Sequence, residues 1–244
     1  MAKHWIVVLA AVLVLTCATT SFAQINVKAQ LAYGGLDYRS TIESKSANIS
    51  EWSVLLHGTY THDDLLFNAL YNSGNRLSMS VGENEPNEPN NHSRSTLQFG
   101  GNYLLLQDTG LKVYGGLGYG LTWINVKHPQ LRDGDRFSLA GKGFAGQAVV
   151  KFDLGDKFGA DAFISASPWF QWEYTQGTTS EKSIGGSAYH YQLGFEYELT
   201  PEYSVRLGLH GGSNGVNAFE YDEQELDKTS SGYTGVTVGM SWNF

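Results

Sequence analysis

The sequence predicts an all-β protein, an antiparallel up-and-down transmembrane β-barrel of ten strands, with eight strands as the alternative count. Ten segments alternate apolar and polar residues with a period of two, and each is about as long as a tilted membrane-crossing strand. The connections between these segments alternate strictly between short and long. After residue 23 there is no apolar run of the ~18 residues or more that a membrane-spanning helix requires.

Residues 1–23 are predicted to be a signal peptide, and residues 24–244 the barrel domain. Lys3 supplies the positive start, residues 6–18 form an apolar core, and Ser21-Phe22-Ala23 places small residues where a signal peptidase reads. We therefore expect cleavage before Gln24. A buried or membrane-anchoring helix is the alternative, but the apolar run is shorter than the ~20 residues that span a bilayer.

The composition of the chain excludes several kinds of site. The net charge is −8 and gives no basic footprint for nucleic acid. Cys17, the one cysteine, lies in the predicted signal, so we expect no disulfide and no cysteine-based metal site in the barrel. No phosphate-binding loop or HExxH motif is present, and no cofactor is expected.

The ten predicted strands all present an apolar face and a polar face. The short turns at 61–63, 107–110, 155–157 and 200–202 put both chain ends on one side of the barrel. The long connections are 39–49, 74–92, 126–138, 175–186 and 214–230. This inequality is typical of bacterial outer-membrane barrels, which have short periplasmic turns and long extracellular loops. The predicted strands are 25–38, 50–60, 64–73, 93–106, 111–125, 139–154, 158–174, 187–199, 203–213 and a last one that includes 236–244.

The polar faces are predicted to line the lumen, because apolar faces with scarcely a charge are suited to contact lipid. Aromatic residues near the strand ends are expected to form girdles at the two membrane boundaries: Trp52, Tyr60, Trp123, Phe170, Trp172, Tyr174, Tyr203 and Trp242. Eight lumen-lining candidates are singled out: Lys28, His57, Lys151, Asp161, His190, Glu196, Arg206 and His210. Other polar side chains, including Gln192 and Glu173, are expected on the same inner face.

Two hairpins give a register that can be checked. Pairing Phe152 with Ala160 sets Lys151 opposite Asp161. Pairing Leu199 with Tyr203 sets Glu196 opposite Arg206 and Gln192 opposite His210. Opposite charges would then meet across neighbouring strands, which is a favourable arrangement.

The C-terminal segment resembles the insertion signal of bacterial outer-membrane β-barrel proteins. A terminal Phe244 follows apolar residues at every second position: Val236, Val238, Met240 and Trp242. The resemblance implies recognition by the barrel-assembly machinery, contact with outer-membrane lipid and lipopolysaccharide, and location as an integral protein of a Gram-negative outer membrane. Oligomeric state stays open.

The strand count resembles that of the omptin proteases, but their catalytic pattern is not matched. That family has an aspartate pair facing an Asp-His pair near the outer rim. Here Asp63 and Asp64 follow His62 on a predicted short turn, and His210 has no aspartate two residues away. Lipid A-modifying barrels are a further family to consider, yet no spacing of His and Ser singles out a site.

The interior is predicted to be a plug of satisfied side chains or a narrow passage. Small barrels fill their interiors with side chains, whereas inner-facing glycines such as Gly100, Gly118, Gly120 and Gly194 would widen the lumen locally. Loop 82–92 is expected to be disordered at its tip. Five carboxylates in the last long connection are expected to form a mobile, solvated loop rather than a cation site: Glu220, Asp222, Glu223, Glu225 and Asp227.

The sequence thus predicts a small, non-enzymatic outer-membrane barrel, either a narrow porin-like channel or a structural and surface-interaction protein. The competing hypothesis is an outer-membrane enzyme with its site at the extracellular rim.

Overall fold

Ten long strands, each hydrogen-bonded to two neighbours, close into an antiparallel barrel. The computed structural model describes residues 24–40, 45–79, 92–127, 136–176, 179–221, 224–226 and 228–244. The barrel strands are β1 (Gln24–Ser40), β2 (Lys45–His62), β3 (Leu65–Met79), β4 (His92–Asp108), β5 (Leu111–Lys127), β6 (Arg136–Asp153), β7 (Phe158–Gln176), β8 (Thr179–Thr200), β9 (Tyr203–Val216) and β12 (Thr229–Asn243). The prediction of ten strands is confirmed.

A small hairpin of β10 (Phe219–Tyr221) and β11 (Gln224–Leu226) lies between β9 and β12. The sequence predicts a mobile acidic loop here, so the hairpin is a correction. Glu220 and Glu225 face each other across it as a backbone pair. Asp222, Glu223 and Asp227 lie outside the described residues, as does the predicted loop 82–92 except for His92.

The barrel closes where β1 pairs with β12, from Asn26 opposite Asn243 to Ser40 opposite Thr229. Two backbone hydrogen bonds extend this seam to the chain end: Phe244 N–H donates to the Ile25 carbonyl over 2.9 Å, and Ile25 N–H donates to the Phe244 carbonyl over 3.2 Å. Gln24 and Phe244 therefore lie at the same end as the short turns. The predicted signal peptide, residues 1–23, lies outside the described residues.

Both predicted hairpin registers hold in the transmembrane part of the barrel. Lys151 faces Asp161, and Glu196 faces Arg206. The predicted pairing of Leu199 with Tyr203 is wrong, since the register shifts between Glu198 and Thr200 and Tyr203 pairs with Thr200. The shift is confined to the turn, so the pairs farther along the two strands keep the predicted register.

The outer face carries the exposed large apolar side chains, and the inner face carries nearly all of the buried polar ones. Apolar side chains outside and polar ones inside are the arrangement of a barrel surrounded by lipid. The outer apolar residues include Leu31, Val54, Phe67, Phe99, Leu117, Phe144, Phe152, Phe195, Leu207 and Val238. No helix that could cross a membrane occurs among the described residues.

A bulge in β7 corrects the prediction for three aromatic residues. The pairing with β8 skips two residues between Ser167 and Phe170, at Pro168 and Trp169. Proline cannot donate to the ladder, and an irregularity in the pairing can reverse the faces of the strand beyond it. Phe170, Trp172 and Tyr174 are therefore buried inside the barrel instead of forming an outer girdle. Glu173, predicted to face inward, has the opposite orientation from its buried neighbours.

Candidate functional site

Four charged side chains form an ionic cluster that crosses the lumen: Lys28, Asp161, Glu196 and Arg206. Lys28 Nζ lies 2.9 Å from Asp161 Oδ2 and 3.0 Å from Glu196 Oε1. Arg206 Nη1 donates to Asp161 and lies 2.5 Å from Glu196 Oε1. Each cation thus contacts both carboxylates, and the cluster is neutral as a unit.

The strand order explains why these four residues meet. Glu196 and Arg206 are a cross-strand pair of β8 and β9, and Asp161 on β7 lies opposite Gly194 on β8. Gly194 has no side chain, and a Cβ there would lie 2.6 Å from Arg206 Nε, so the guanidinium occupies that space. Lys28 comes from β1, four strands away from β7 around the barrel. The ionic cluster therefore links strands on different sides of the lumen.

Neighbouring polar groups complete the ionic cluster. Arg206 Nε donates to Gln30 Oε1 over 3.3 Å, and the Ser241 hydroxyl donates to Glu196 Oε2 over 3.2 Å. Lys151 lies beside it, opposite Asp161 in the ladder, with its Nζ 5.9 Å from the centroid of the Tyr114 ring. Buried charges are tolerated when each is paired and hydrogen-bonded, which is the arrangement seen here.

Two histidines lie on either side of Phe163. The His57 ring centroid is 5.3 Å from that of Phe163, and the His190 centroid is 6.2 Å from it. His57 is buried, and neither of its ring nitrogens has a hydrogen-bond partner within the described part of the chain. Phe163 thus separates the surroundings of the ionic cluster from the polar groups around His190.

A second polar group, the Tyr233 cluster, contains Glu51, Arg94, His190, His210 and Tyr233. The Arg94 guanidinium carbon lies 3.5 Å from the Tyr233 ring centroid, and Arg94 donates a hydrogen bond to Glu51. His190 Nδ1 and the Tyr233 hydroxyl are hydrogen-bonded at 2.6 Å. The His210 ring centroid lies 5.7 Å from that of Tyr233.

The end of the lumen opposite the short turns is filled by an apolar plug: Ile124, Leu139, Phe170, Trp172, Tyr174, Ile184 and Val216. Trp172 Nε1–H donates to the Gly215 carbonyl over 3.0 Å, which satisfies its polar group. Phe219 of β10 is partly buried against the plug, 5.4 Å from Tyr174 between ring centroids. A separate inner cluster consists of Leu66, Leu70, Tyr114, Val149 and Phe163.

Inner glycines accommodate large side chains and do not widen the lumen. The Gln147 side chain lies against Gly100 and Gly118, where a Cβ on either residue would contact it. The Phe170 ring lies against Gly120, Gly141 and Gly143 in the same way. The space that these glycines leave is therefore occupied by side chains from other strands.

The structure brings together only part of the predicted lumen set. Lys28, Asp161, Glu196 and Arg206 form the ionic cluster, with Lys151 beside it. His57 stands apart from His190 and His210, which contact Tyr233. Glu51, Arg94, Tyr233 and the two apolar clusters are not among the residues predicted from the sequence to line the lumen. Glu51 lies an even number of residues before His57 on the same strand, so the alternation predicts that it also faces inward. Apolar residues on the inner face give no such signal in the sequence.

The acidic turn considered for the omptin pattern lies at the short-turn end of the barrel. His62 and Asp63 lie at the turn between β2 and β3, with His62 Nε2 3.6 Å from Asp63 Oδ2, at the same end as both termini. Asp64 accepts a hydrogen bond from the Tyr103 hydroxyl over 3.3 Å. No group of three or more potential metal ligands occurs in the described ranges.

A glycine in β6 tests the packing of the apolar plug. A Cβ at Gly141 would lie 2.6 Å from Trp172 Cε3 and would also meet the Phe170 ring. We expect Gly141→Ala to destabilise the protein by about 1–3 kcal/mol, the usual effect of overpacking. Gly146→Ala on the same strand is the control, because its Cβ would meet nothing within 4 Å. Urea titration of both refolded variants measures the difference, and equal midpoints would contradict the packing.

Comparisons with known proteins agree with this architecture. No protein-family model and no curated protein sequence matches the chain. Among solved structures, the outer membrane protease OmpT from Escherichia coli superposes with a TM-score of 0.56 at 10% identity, over 93% of this chain and 98% of that one. The translocator domain of the autotransporter NalP from Neisseria meningitidis gives 0.47 at 10% identity, over 100% and 96%. Neisserial surface protein A gives 0.40 at 12% identity, over 90% and 97%. The superposition on OmpT shows that the chain has the fold of an outer-membrane β-barrel, closed here by ten strands.

Proposed function

We propose that the chain is an integral, non-enzymatic protein of the outer membrane that acts as a closed scaffold and interacts through its extracellular end. The observation that carries this proposal is the filled lumen. Its largest buried side chains are all less than 2% exposed and point inward from several strands: Trp172, Arg94, Arg206, Tyr114, Phe163 and Phe170. A barrel filled in this way needs no open channel.

The two barriers in the lumen differ in kind. The apolar plug offers a hydrated ion few hydrogen-bonding groups, the Tyr174 hydroxyl among them, so a passing ion would have to leave most of its water behind. The ionic cluster joins β1 to β7, β8 and β9 through side chains at hydrogen-bond distance. A solute would therefore have to disrupt both barriers to cross the barrel.

The lengths of the strands support an interacting extracellular end. β7 has 19 residues and β8 has 22, whereas about 9–11 residues of a tilted strand cross the bilayer. Beyond the exposed apolar side chains of the outer face, towards the end opposite the short turns, the outward-facing side chains of these strands are polar. They include Gln171, Ser183 and Ser187. The barrel wall thus continues past the membrane as a water-exposed rim, where binding to a partner is favoured.

Insertion into the membrane is part of the same proposal. A signal peptide at 1–23 would export the chain, and the barrel-assembly machinery would read its last strand. Val236, Val238 and Met240 are exposed on the outer face of β12, Trp242 is half-buried there, and Phe244 directly after the strand is exposed. The segment is thus apolar at every second position, like the insertion signal of the outer-membrane barrels that it resembles.

Planar-bilayer recording tests whether the lumen is closed. We expect the refolded wild-type protein to give no discrete conductance steps. The combined variant Phe170→Ala/Trp172→Ala/Arg206→Met removes parts of both barriers and serves as the positive control, with steps expected. Steps of uniform size from the wild-type protein would overturn the closed-scaffold proposal.

A narrow porin-like passage is the second candidate, and one observation favours it. Buried polar atoms without a hydrogen-bond partner line the interior between the two barriers, among them Arg94 Nη1, His190 Nε2 and both amide atoms of Gln192. Such groups are rare in a dry interior and are usually satisfied by water. Hydrogen exchange of the backbone amides in the barrel strands would distinguish a hydrated lumen from a dry one.

A further inference from the structure

The barrel wall has a step between β8 and β9, at the end opposite the short turns. The pairing of β8 with β7 continues as far as Thr179, whereas its pairing with β9 stops at Gly186. One backbone hydrogen bond extends the β9 side by a residue, from Asn217 N–H to the Gly185 carbonyl over 2.9 Å. In the described part of the chain, residues 179–184 thus have a ladder partner on one side only. We call this segment the β8 edge.

The strands that follow β9 around the barrel do not cover the β8 edge. Val216, the last residue of β9, lies opposite Thr229, and Thr229 lies opposite Ser40. Ser40 in turn pairs with Lys45. Each of these residues is the terminal residue of its strand, so the wall on that side ends at one level of the ladder. The chain beyond β9 also turns away, because Phe219 packs against the apolar plug inside the barrel.

The β8 edge is fixed in place and protected against indiscriminate pairing. Ile184 anchors it, since this side chain is 5% exposed within the plug. Ser183 has a positive φ of 62°, and the register with β7 shifts at this point. Such a bulge, and a charged residue such as Lys182 beside it, are the usual devices that limit pairing at an exposed edge. The edge is therefore suited to a short extended segment and not to a long, flat strand.

The charge next to the β8 edge favours a basic partner. Glu220 and Glu225 face each other as a backbone pair in the β10–β11 hairpin, which follows β9 along the chain. Like charges directly opposite each other destabilise a pair of strands, and a cation placed beside them would relieve the repulsion. The connection 214–230, which contains the hairpin, carries five carboxylates and one lysine. The β8 edge itself carries one charge of each sign, from Glu181 and Lys182.

We propose that the β8 edge binds a short, extended, basic segment of another protein. The segment adds to the barrel wall as a strand antiparallel to β8, in the place that β9 leaves vacant. Main-chain hydrogen bonds supply the affinity of such strand addition, and side chains at every second position supply the specificity. Lysine or arginine at those positions would meet the carboxylates of the hairpin. The inference rests on the proposed function, because it names the chemistry of the partner at the extracellular end.

A fluorescent heptapeptide that alternates lysine with valine or threonine is the probe for this site. We expect saturable binding to the refolded barrel in detergent, measured by fluorescence anisotropy. At saturation the backbone amides of residues 179–184 should exchange hydrogen about tenfold more slowly, as newly paired amides do. The same peptide N-methylated at its central residues keeps its charge but cannot donate main-chain hydrogen bonds, so we expect it not to bind.

Two double variants test the contribution of charge. Glu220→Gln/Glu225→Gln is expected to weaken binding of the probe by about fivefold, as for two exposed ion pairs. Asp156→Asn/Glu202→Gln removes the same charge from exposed positions at the short turns and is the matched control. This control variant should bind the probe like the wild type.

Several outcomes would overturn the proposal: unchanged exchange at residues 179–184, equal binding of the N-methylated peptide, or equal binding of a probe with glutamate in place of lysine. A dimer in native mass spectrometry whose formation protects residues 179–184 without the probe would also overturn it, because a second copy would then be the partner. Conductance steps from the wild-type protein would overturn the closed scaffold and leave this inference standing. Loss of the inference alone would leave the lumen closed.

Discussion

Replacing Arg206 by Met is expected to lower the free energy of unfolding by about 3–5 kcal/mol, the usual cost of breaking a buried ion pair by removing one partner. The guanidinium contacts both Asp161 and Glu196, and it is 1% exposed. Without it, each of the two carboxylates keeps its ion pair with Lys28 but loses its second cation. Urea unfolding of the protein refolded into lipid vesicles measures the effect.

A double variant shows whether charge balance is the cause. Asp161→Asn combined with Arg206→Met removes one charge of each sign and leaves Lys28 paired with Glu196. We expect its loss of stability to be smaller than the sum of the two single losses. Lys112→Met is the control for loss of a cation, because Lys112 is exposed near the short turn of β5. Strict additivity, or an Arg206→Met loss no larger than that of Lys112→Met, would contradict the role of the cluster.

The ionic cluster could be predicted in part, because cross-strand pairs follow from hairpin arithmetic. A short turn and a period of two determine which residues face each other, so the pairs of Lys151 with Asp161 and Glu196 with Arg206 could be derived. The contact of Lys28 with Asp161 could not, since it joins β1 to β7 across the lumen. That contact depends on the curvature of the closed barrel, which no local pattern of residues encodes.

The wrong prediction for the aromatic residues at the end of β7 has a similar origin. The alternation from Phe158 to Tyr174 continues without a break in the sequence, and it predicts that Phe170 and Trp172 face lipid. Pro168 is the only local sign of irregularity. The bulge beside it moves these aromatic rings into the lumen. The neighbouring glycines on β5 and β6 provide the space, and their significance emerges only when the strands are side by side.

The Tyr233 cluster was missed for a different reason. Arg94 and Glu51 are each the second residue of a predicted strand, 93–106 and 50–60, next to a predicted long connection. A charged residue near a loop is ordinarily assigned to solvent. Here β2 begins at Lys45 and β4 at His92, so both residues lie within strands and their side chains are buried inside the barrel.

Replacing Phe170 by Ala is expected to destabilise the protein by about 3–5 kcal/mol, the range for truncating a large buried aromatic side chain. The ring packs against Trp172, at 5.0 Å between centroids, and against three glycines, Gly120, Gly141 and Gly143. The strands that carry these glycines are held by hydrogen bonds to both neighbours. Glycine has no side chain that could move into the cavity, and the fixed strands cannot close it. The loss of stability is therefore expected toward the upper end of the range.

Phe195→Ala is the matched control, because Phe195 is 66% exposed on the lipid-facing side of β8. Its truncation leaves no cavity in the lumen, so we expect a much smaller change in unfolding free energy. If the two variants lose equal stability, aromatic burial in the apolar plug does not contribute more than lipid contact does. If Phe170→Ala is clearly the less stable variant, packing holds the lumen closed at the end opposite the short turns, and the plug is a structural barrier independent of the ionic cluster.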